Sequence, residues 1–236
     1  MFNALWRPVK ECRTKVLTKL CSNLILRGAA RMRQFERQKG NFPAFLMISL
    51  TNRCNLSCRG CWVSKSNPPQ ELSREQIFQI IRTAKEKHGS YFFGLLGGEP
   101  FLYPHLWDIF AEFPDCYFQL FTNGHFLNRE NAERLAKFGN VTPLISVEGL
   151  PEESNRRRNG EDVFERSIEA IKNCNKAGLF TGVASSITRK NLNDLASREF
   201  IKQLAAHGAH YFWYYISINF QKGRMNELQQ VGKNLQ

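Results

Sequence analysis

The sequence predicts an α/β protein built on a parallel sheet, and three observations carry that prediction. Six apolar runs of strand length lie between residues 44 and 218, and a stretch of helix length separates each from the next. The first run, residues 44–50 (AFLMISL), is continuously apolar, as a strand buried on both faces should be. The 236 residues are 42% apolar and 23% charged, with no internal repeat or low-complexity tract, which suits one globular domain and excludes solenoid and disordered chains.

The elements follow in order. Residues 9–27 read as an amphipathic helix, with Val9, Cys12, Val16, Leu20 and Leu24 at three- and four-residue steps and Leu17, Cys21 and Ile25 beside them. Gly40-Asn41-Phe42-Pro43 breaks that pattern. After the first strand, residues 73–87 form a helix that Ser73 and Gln76 start as a capping box. A strand over 91–96, a helix over 104–113, a strand over 116–121 and a helix over 128–138 come next. Residues 141–147 are the fourth strand and 162–177 the fourth helix, with Gly178 where a C-cap favours a left-handed residue. A strand over 179–187, a helix over 191–207 and a strand over 209–218 complete the series. Strands separated by helices imply right-handed crossovers in a parallel sheet. Periodicity does not decide between a doubly wound sheet and a curved partial barrel; in both, ligands bind at the carboxyl ends of the strands.

Charge is unevenly spread. The net charge is +12, and residues 1–39 hold ten of the Lys and Arg residues against only Glu11 and Glu36, so the basic character belongs to the N-terminal segment. Such a segment attracts nucleic acid, anionic lipid or acidic proteins. A helix packed on the outside of the domain is the plainer expectation for it, and attachment to an anionic membrane surface the sharper one. With only Phe2, Trp6 and Phe35 as aromatics there, nucleic acid is the weaker partner. The chain shows no apolar stretch of membrane-spanning length and no signal-peptide pattern.

The seven cysteines include three in one loop: Cys54, Cys58 and Cys61, spaced C-x3-C-x2-C. An odd count with a cluster argues for a reducing compartment and a metal site, hence a cytoplasmic protein, peripheral to the inner membrane face if the basic helix binds lipid. Thiolates at short spacing hold iron–sulfur clusters, and three ligands leave one iron open. A structural zinc site wants a fourth ligand, and none lies in the loop. Three buried unliganded thiols fit poorly with neighbours Asn52, Arg53, Asn55, Ser57 and Arg59.

Read together with Gly97-Gly98-Glu99-Pro100 one strand later, this loop resembles the radical S-adenosylmethionine (radical SAM) superfamily over residues 44 to about 224. The family's cysteine motif places an aromatic residue before the third cysteine; here Gly60 stands there and Trp62 follows. The resemblance implies a partial (β/α)6 barrel, with 1–42 as a basic helical extension, 43–224 as the core and 225–236 as a short tail. It implies that Cys54, Cys58 and Cys61 hold a 4Fe–4S cluster, and that Gly97, Gly98, Glu99 and Pro100 meet the amino group of S-adenosylmethionine.

Weaker matches follow. Thr122-Asn123-Gly124 ends the third strand, Ser146-Val147-Glu148-Gly149 resembles S-x-D-G, and Ser186 with Thr188-Arg189-Lys190-Asn191 lies at the fifth. The resemblance places Trp62, Asn123, Ser146, Glu148 and Ser186 on the cofactor and Arg158 at its carboxylate, with Arg156 and Arg157 in a solvated basic loop. Phe220-Gln221-Lys222-Gly223-Arg224 resembles P-x-G-R without its proline; Ile216 and Ile218 are expected to pack in the core, with a place near the adenine as the alternative.

The implied chemistry is reductive cleavage of S-adenosylmethionine to a 5′-deoxyadenosyl radical that abstracts hydrogen from a peptide, metabolite or cofactor precursor. Its implied partner is a one-electron donor of flavodoxin or ferredoxin type. A radical enzyme acting on nucleic acid and a non-catalytic iron–sulfur module are the alternatives; the Gly97–Pro100 motif weighs against the second.

Overall fold

In a computed structural model the chain is described at residues 12–27, 30, 33, 45–63, 66 and 68–216. Residues 40–43, 220–224, Ile218, Val9 and the tail 225–236, all read above, lie outside them. Six strands, β1 (Phe45–Ser49), β2 (Phe92–Leu96), β3 (Tyr117–Thr122), β4 (Val141–Ser146), β5 (Gly182–Ile187) and β6 (Tyr211–Ile216), form one parallel sheet in sequence order. That order decides what periodicity left open. A doubly wound sheet reverses direction at a central strand, whereas one that advances a strand at a time is a barrel segment. The fold is a (β/α)6 half-barrel with β1 and β6 as its edges.

Ile48, Phe93, Leu95, Phe118, Leu120, Ile145 and Val183 are buried in the core under the helices. The alternate positions fill the barrel's interior. Phe45 of β1 stacks on Phe92 (centroids 4.4 Å apart) and reaches Trp213 of β6 at 6.2 Å. Edge strands that share no hydrogen bond are thus joined by aromatic rings. β1 is an edge with Met47 45% exposed, so it is not buried on both faces as the apolar run suggested. Ile216, expected in the core, is 76% exposed on the other edge.

The helices are α1 (Thr14–Lys19), α2 (Arg74–His88), α3 (Leu106–Glu112), α4 (Arg129–Phe138), α5 (Pro151–Arg158), α6 (Val163–Lys176), α7 (Leu192–Leu195) and α8 (Arg198–His207). The capping box opening α2 is present: Ser73 Oγ accepts from Gln76 N at 3.2 Å, and Gln76 Oε1 from Ser73 N at 2.8 Å. The helix expected over 191–207 is two helices, because Ser197 Oγ caps Phe200 N at 3.1 Å and starts a new one. α5 was not foreseen. Its core face is too small to show as periodicity, with Ser154 its only buried residue. Pro151 in the first turn, Glu152 and Glu153 behind it and three arginines in the last turn suit both ends of the helix dipole.

The N-terminal segment seals the base of the half-barrel. It is not one α-helix over 9–27: α1 passes into a π-helix, Leu20–Leu26. The wider turn brings Asn23 inward, where its Nδ2 donates to Pro114 O (3.3 Å) and Cys116 O (3.2 Å). Lys15 donates to Lys137 O, Lys19 to Pro114 O, and Arg27 to Asp115 O at 2.6 Å. Val16 is fully buried among the core residues. No helix among the described residues is long and apolar enough to cross a membrane.

Candidate functional site

The carboxyl ends of the strands surround a cavity of about 540 Å³, within the usual range for small-ligand sites. Cys54, Cys58, Cys61 and Trp62 line it from the β1 loop, Gly97 and Gly98 from the β2 loop, and Asn123 from the end of β3. Ser146 and Glu148 line it from β4, Arg157 and Arg158 from α5, and Ser186 from β5. Eleven of the thirteen residues singled out in the sequence therefore share one cavity; Glu99 and Pro100 stand behind its wall.

The cysteine loop is clasped from both sides. Gly98 N donates to Thr51 O and Glu99 N to Arg53 O, each at 2.7 Å. A side chain on Gly97 or Gly98 would place its Cβ 2.3 Å from Thr51 O or 2.1 Å from Arg53 O, distances no packing tolerates. The two glycines are needed because the cysteine loop rests on them. Across the loop, Asn52 N donates to Gln70 O (3.0 Å) and Gln70 N to Asn52 Oδ1 (2.9 Å), while Arg53 pairs with Glu71. Asn123 Nδ2 donates to Asn55 Oδ1 at 2.8 Å, tying the loop to β3.

Glu99 is fully buried and faces β3. One carboxylate oxygen accepts from Thr122 Oγ1 (2.8 Å) and Phe101 N (3.2 Å), the other from Asn123 N (2.8 Å). Burial pushes its pKa up to about 7 against these hydrogen bonds. Pro100, also buried, opens a single 3₁₀ turn.

Glu148 organises the opposite wall. It is fully buried; one oxygen accepts from Arg158 and forms an ion pair with Arg157 Nη1 (3.1 Å), and the other accepts from Ser186 N (3.0 Å). Asn191 Nδ2 donates to Glu148 O (2.8 Å) and Ser186 O (2.9 Å), joining the ends of β4 and β5. Arg157 is thus part of the wall and not of a solvated loop; its side chain is only 15% exposed. Arg156 turns away to Glu153. Sequence reasoning missed Arg157 because it missed α5; the pattern of Pro151, two acids and a basic last turn was the available signal.

The site's chemistry is legible in what remains open. Among the described residues, buried Arg158 Nε, Ser185 Oγ and Tyr215 Oη have no hydrogen-bond partner, and all three residues line the cavity. Arg158 Nη1 lies 3.9 Å from Cys58 Sγ. No disulfide joins the cysteines, and among the described residues no three acidic, histidine or cysteine side chains converge on a point where one metal ion would sit. A mononuclear zinc centre needs such convergence, with sulfurs about 2.3 Å from one ion. An iron–sulfur cube needs its thiolates on separate corners. Three cysteines lining one cavity, with a guanidinium 3.9 Å from the Cys58 sulfur, fit the cube.

Comparisons with known proteins agree with this geometry. The profile of the Radical SAM superfamily matches residues 48–204. The sporulation killing factor maturation protein SkfB of Bacillus subtilis is 31% identical over 180 residues, covering 73% of this chain and 43% of SkfB. The mycofactocin maturase MftC of Mycobacterium ulcerans is 32% identical over 157 residues, covering 65% of this chain and 42% of MftC. This chain therefore spans less than half the length of those relatives. The crystal structure of Streptococcus suis SuiB bound to S-adenosylmethionine superposes with a TM-score of 0.64 at 18% identity, over 88% of this chain and 47% of SuiB; SuiB is also known bound to the precursor peptide SuiA. The half-barrel is the fold of those structures, and by the match over two thirds of its length this chain belongs to the radical SAM superfamily.

Proposed function

We propose that the chain is the catalytic core of a radical S-adenosylmethionine enzyme that matures a precursor peptide. One observation carries the reading: three cysteines of one loop and the Gly97-Gly98 turn of the next strand line a single cavity at the strand ends. Cys54, Cys58 and Cys61 would hold the cluster, and Gly97, Gly98, Asn123, Ser146, Glu148 and Ser186 would surround S-adenosylmethionine, with Trp62 at the rim. When bound, the cluster supplies the electron that cleaves S-adenosylmethionine and yields a hydrogen-abstracting 5′-deoxyadenosyl radical.

This chain's residues position and shield. The clasp on the cysteine loop fixes the thiolates, Glu99 holds the β2 loop against β3, and the Phe121–Trp213–Tyr215 ring cluster closes the cavity from below. An aromatic floor excludes the water that would quench a radical. The peptide substrate is supported by the maturation roles in the names of SkfB and MftC and by the SuiA complex of SuiB. A flavodoxin- or ferredoxin-type donor would supply the electron. Among the described residues, attachment to an anionic membrane is supported by exposed Ile25 and Leu26 alone, since Lys15, Lys19 and Arg27 are engaged at the barrel base.

The test is anaerobic reconstitution with iron and sulfide, then dithionite and S-adenosylmethionine. The expected product is 5′-deoxyadenosine, absent with Cys58→Ala. Protein that holds about four irons and forms none would end the enzymatic reading. Unchanged masses of candidate precursor peptides beside steady 5′-deoxyadenosine formation would end the peptide assignment alone.

A further inference from the structure

The wall built on Glu148 does not balance its own charge. One buried carboxylate faces two guanidiniums, Arg157 and Arg158, whose side chains are each only 15% exposed. The neighbouring carboxylates take other partners: Glu153 pairs with Arg156, and Glu99 accepts from Thr122, Asn123 and Phe101, with the charge of Arg158 the smallest of the influences on Glu99. One positive charge is left over in a largely buried wall, where an unbalanced charge is costly unless a ligand meets it.

The structure aims that charge. Arg158 is pinned to Glu148, whose other oxygen is held by Ser186 N at 3.0 Å. Arg59 N donates to Arg157 O at 2.8 Å, so the end of α5 and the cysteine loop are locked together in the backbone. So held, Arg158 Nη1 sits 3.9 Å from Cys58 Sγ, within N–H···S reach, and its buried Nε has no partner.

We propose that Arg158 is a tuning residue for the iron–sulfur cluster, its guanidinium donating to the Cys58 thiolate and raising the cluster's reduction potential. The inference rests on the reading that Cys54, Cys58 and Cys61 hold a 4Fe–4S cluster. With three thiolates the oxidised cluster carries a net charge of about −1, and one-electron reduction adds a second negative charge. A cation beside a ligand sulfur stabilises the reduced form more than the oxidised one, and outer hydrogen bonds of this kind set cluster potentials. Glu148 acts in the opposite sense, as the anion that partly neutralises Arg158. An arginine kept only for the carboxylate of S-adenosylmethionine would need no contact with a cysteine.

The experiment is a redox titration of the reconstituted protein without S-adenosylmethionine, followed by electron paramagnetic resonance. Iron content is measured first: a parent protein without about four irons overturns the cluster reading itself. Given a loaded parent, Arg158→Gln is expected to cut the reduced-to-oxidised ratio at the parent's midpoint tenfold or more, a shift of at least 59 mV downward for a one-electron couple. Glu148→Gln is expected to move the midpoint upward, and Arg158→Lys to lie closer to the parent than Arg158→Gln does. Opposite signs for the two glutamine variants are beyond the reach of general loosening. Shifts in the same direction overturn the proposal. So does an unmoved Arg158→Gln midpoint beside weakened S-adenosylmethionine binding. Should Arg158→Gln load no cluster, Glu148→Gln decides: an upward shift supports the proposal, and no shift or a downward one overturns it.

Discussion

At the base of the half-barrel, Lys15, Lys19, Asn23 and Arg27 place their donors on backbone carbonyls that the ends of strands and helices leave open. At the mouth, Arg158 Nε, Ser185 Oγ and Tyr215 Oη are buried without a partner. Both ends are rich in polar groups, but those of the basal segment find partners and several at the mouth do not. Three of the seven orphaned buried atoms found among the described residues surround the upper cavity, and none belongs to the sealing segment. Burying an unmade hydrogen bond costs about 1–3 kcal/mol, so a fold keeps several around one cavity where a ligand completes them. The difference teaches that charge in a sequence is not itself a binding signal. The most basic segment, as far as it is described, holds the protein together, while a small wall of one glutamate and two arginines, with a single surplus positive charge, faces the chemistry.

The sharpest way to break that contrast is to exchange cysteines. Cys58→Ala at the mouth is expected to abolish cluster uptake and reduce 5′-deoxyadenosine to background. Cys21→Ser, exposed on the basal segment, is expected to leave iron content unchanged. Equal iron in both proteins would erase the distinction between the two ends. Gly98→Ala should approach the effect of Cys58→Ala without touching a ligand, because its Cβ would meet Arg53 O at 2.1 Å and push the loop away; iron per chain is the readout.

The next expectation concerns pH and the mouth. Burial holds the Glu99 pKa at about 7 against an ordinary 4.5. Between those values the unfolded chain has released a proton that the folded chain keeps, so stability falls as pH rises. The loss is at most about 3 kcal/mol and is complete above pH 7. Chemical denaturation of the metal-free protein should show this decline, and Glu99→Gln should flatten it. A parent curve that rises across that window would remove Glu99 as a buried, proton-retaining strut. Asn23→Ala tests the base in turn. It removes the Asn23 donor from Cys116 O and one of two donors, the other being Lys19, from Pro114 O, and should lower stability by about 1–3 kcal/mol at every pH while leaving S-adenosylmethionine affinity in place.

How far the sequence carried the reading follows the same division. The Ser73–Gln76 capping box, the Gly178 stop and the alternation of apolar runs are local signals, and they placed six strands and most helices within a few residues. The cysteine spacing and the Gly97-Gly98 turn are local too, and the residues they single out line one cavity. What stayed hidden was long-range. The direction of winding depends on which strands pair. Asn55 meets Asn123 across 68 residues, and Arg158 meets Cys58 across 100. The turn of the π-helix that buries Asn23 answers to carbonyls some ninety residues away, and no periodicity within residues 9–27 encodes it.

Trp62 offers the smallest effect and separates function from stability most cleanly. It is 70% exposed at the rim of the cavity, so its ring adds little to folding, and Trp62→Ala should change stability by no more than about 0.5 kcal/mol. An exposed indole beside an otherwise clasped loop has a different use: its face can cover a planar group that enters the cavity, an interaction of about 1–3 kcal/mol for a stacked base. The KM for S-adenosylmethionine is therefore expected to rise several-fold, with iron content and melting temperature held. A loss of iron in Trp62→Ala would instead make the tryptophan part of the clasp, and an unchanged KM would leave the rim open to the substrate alone.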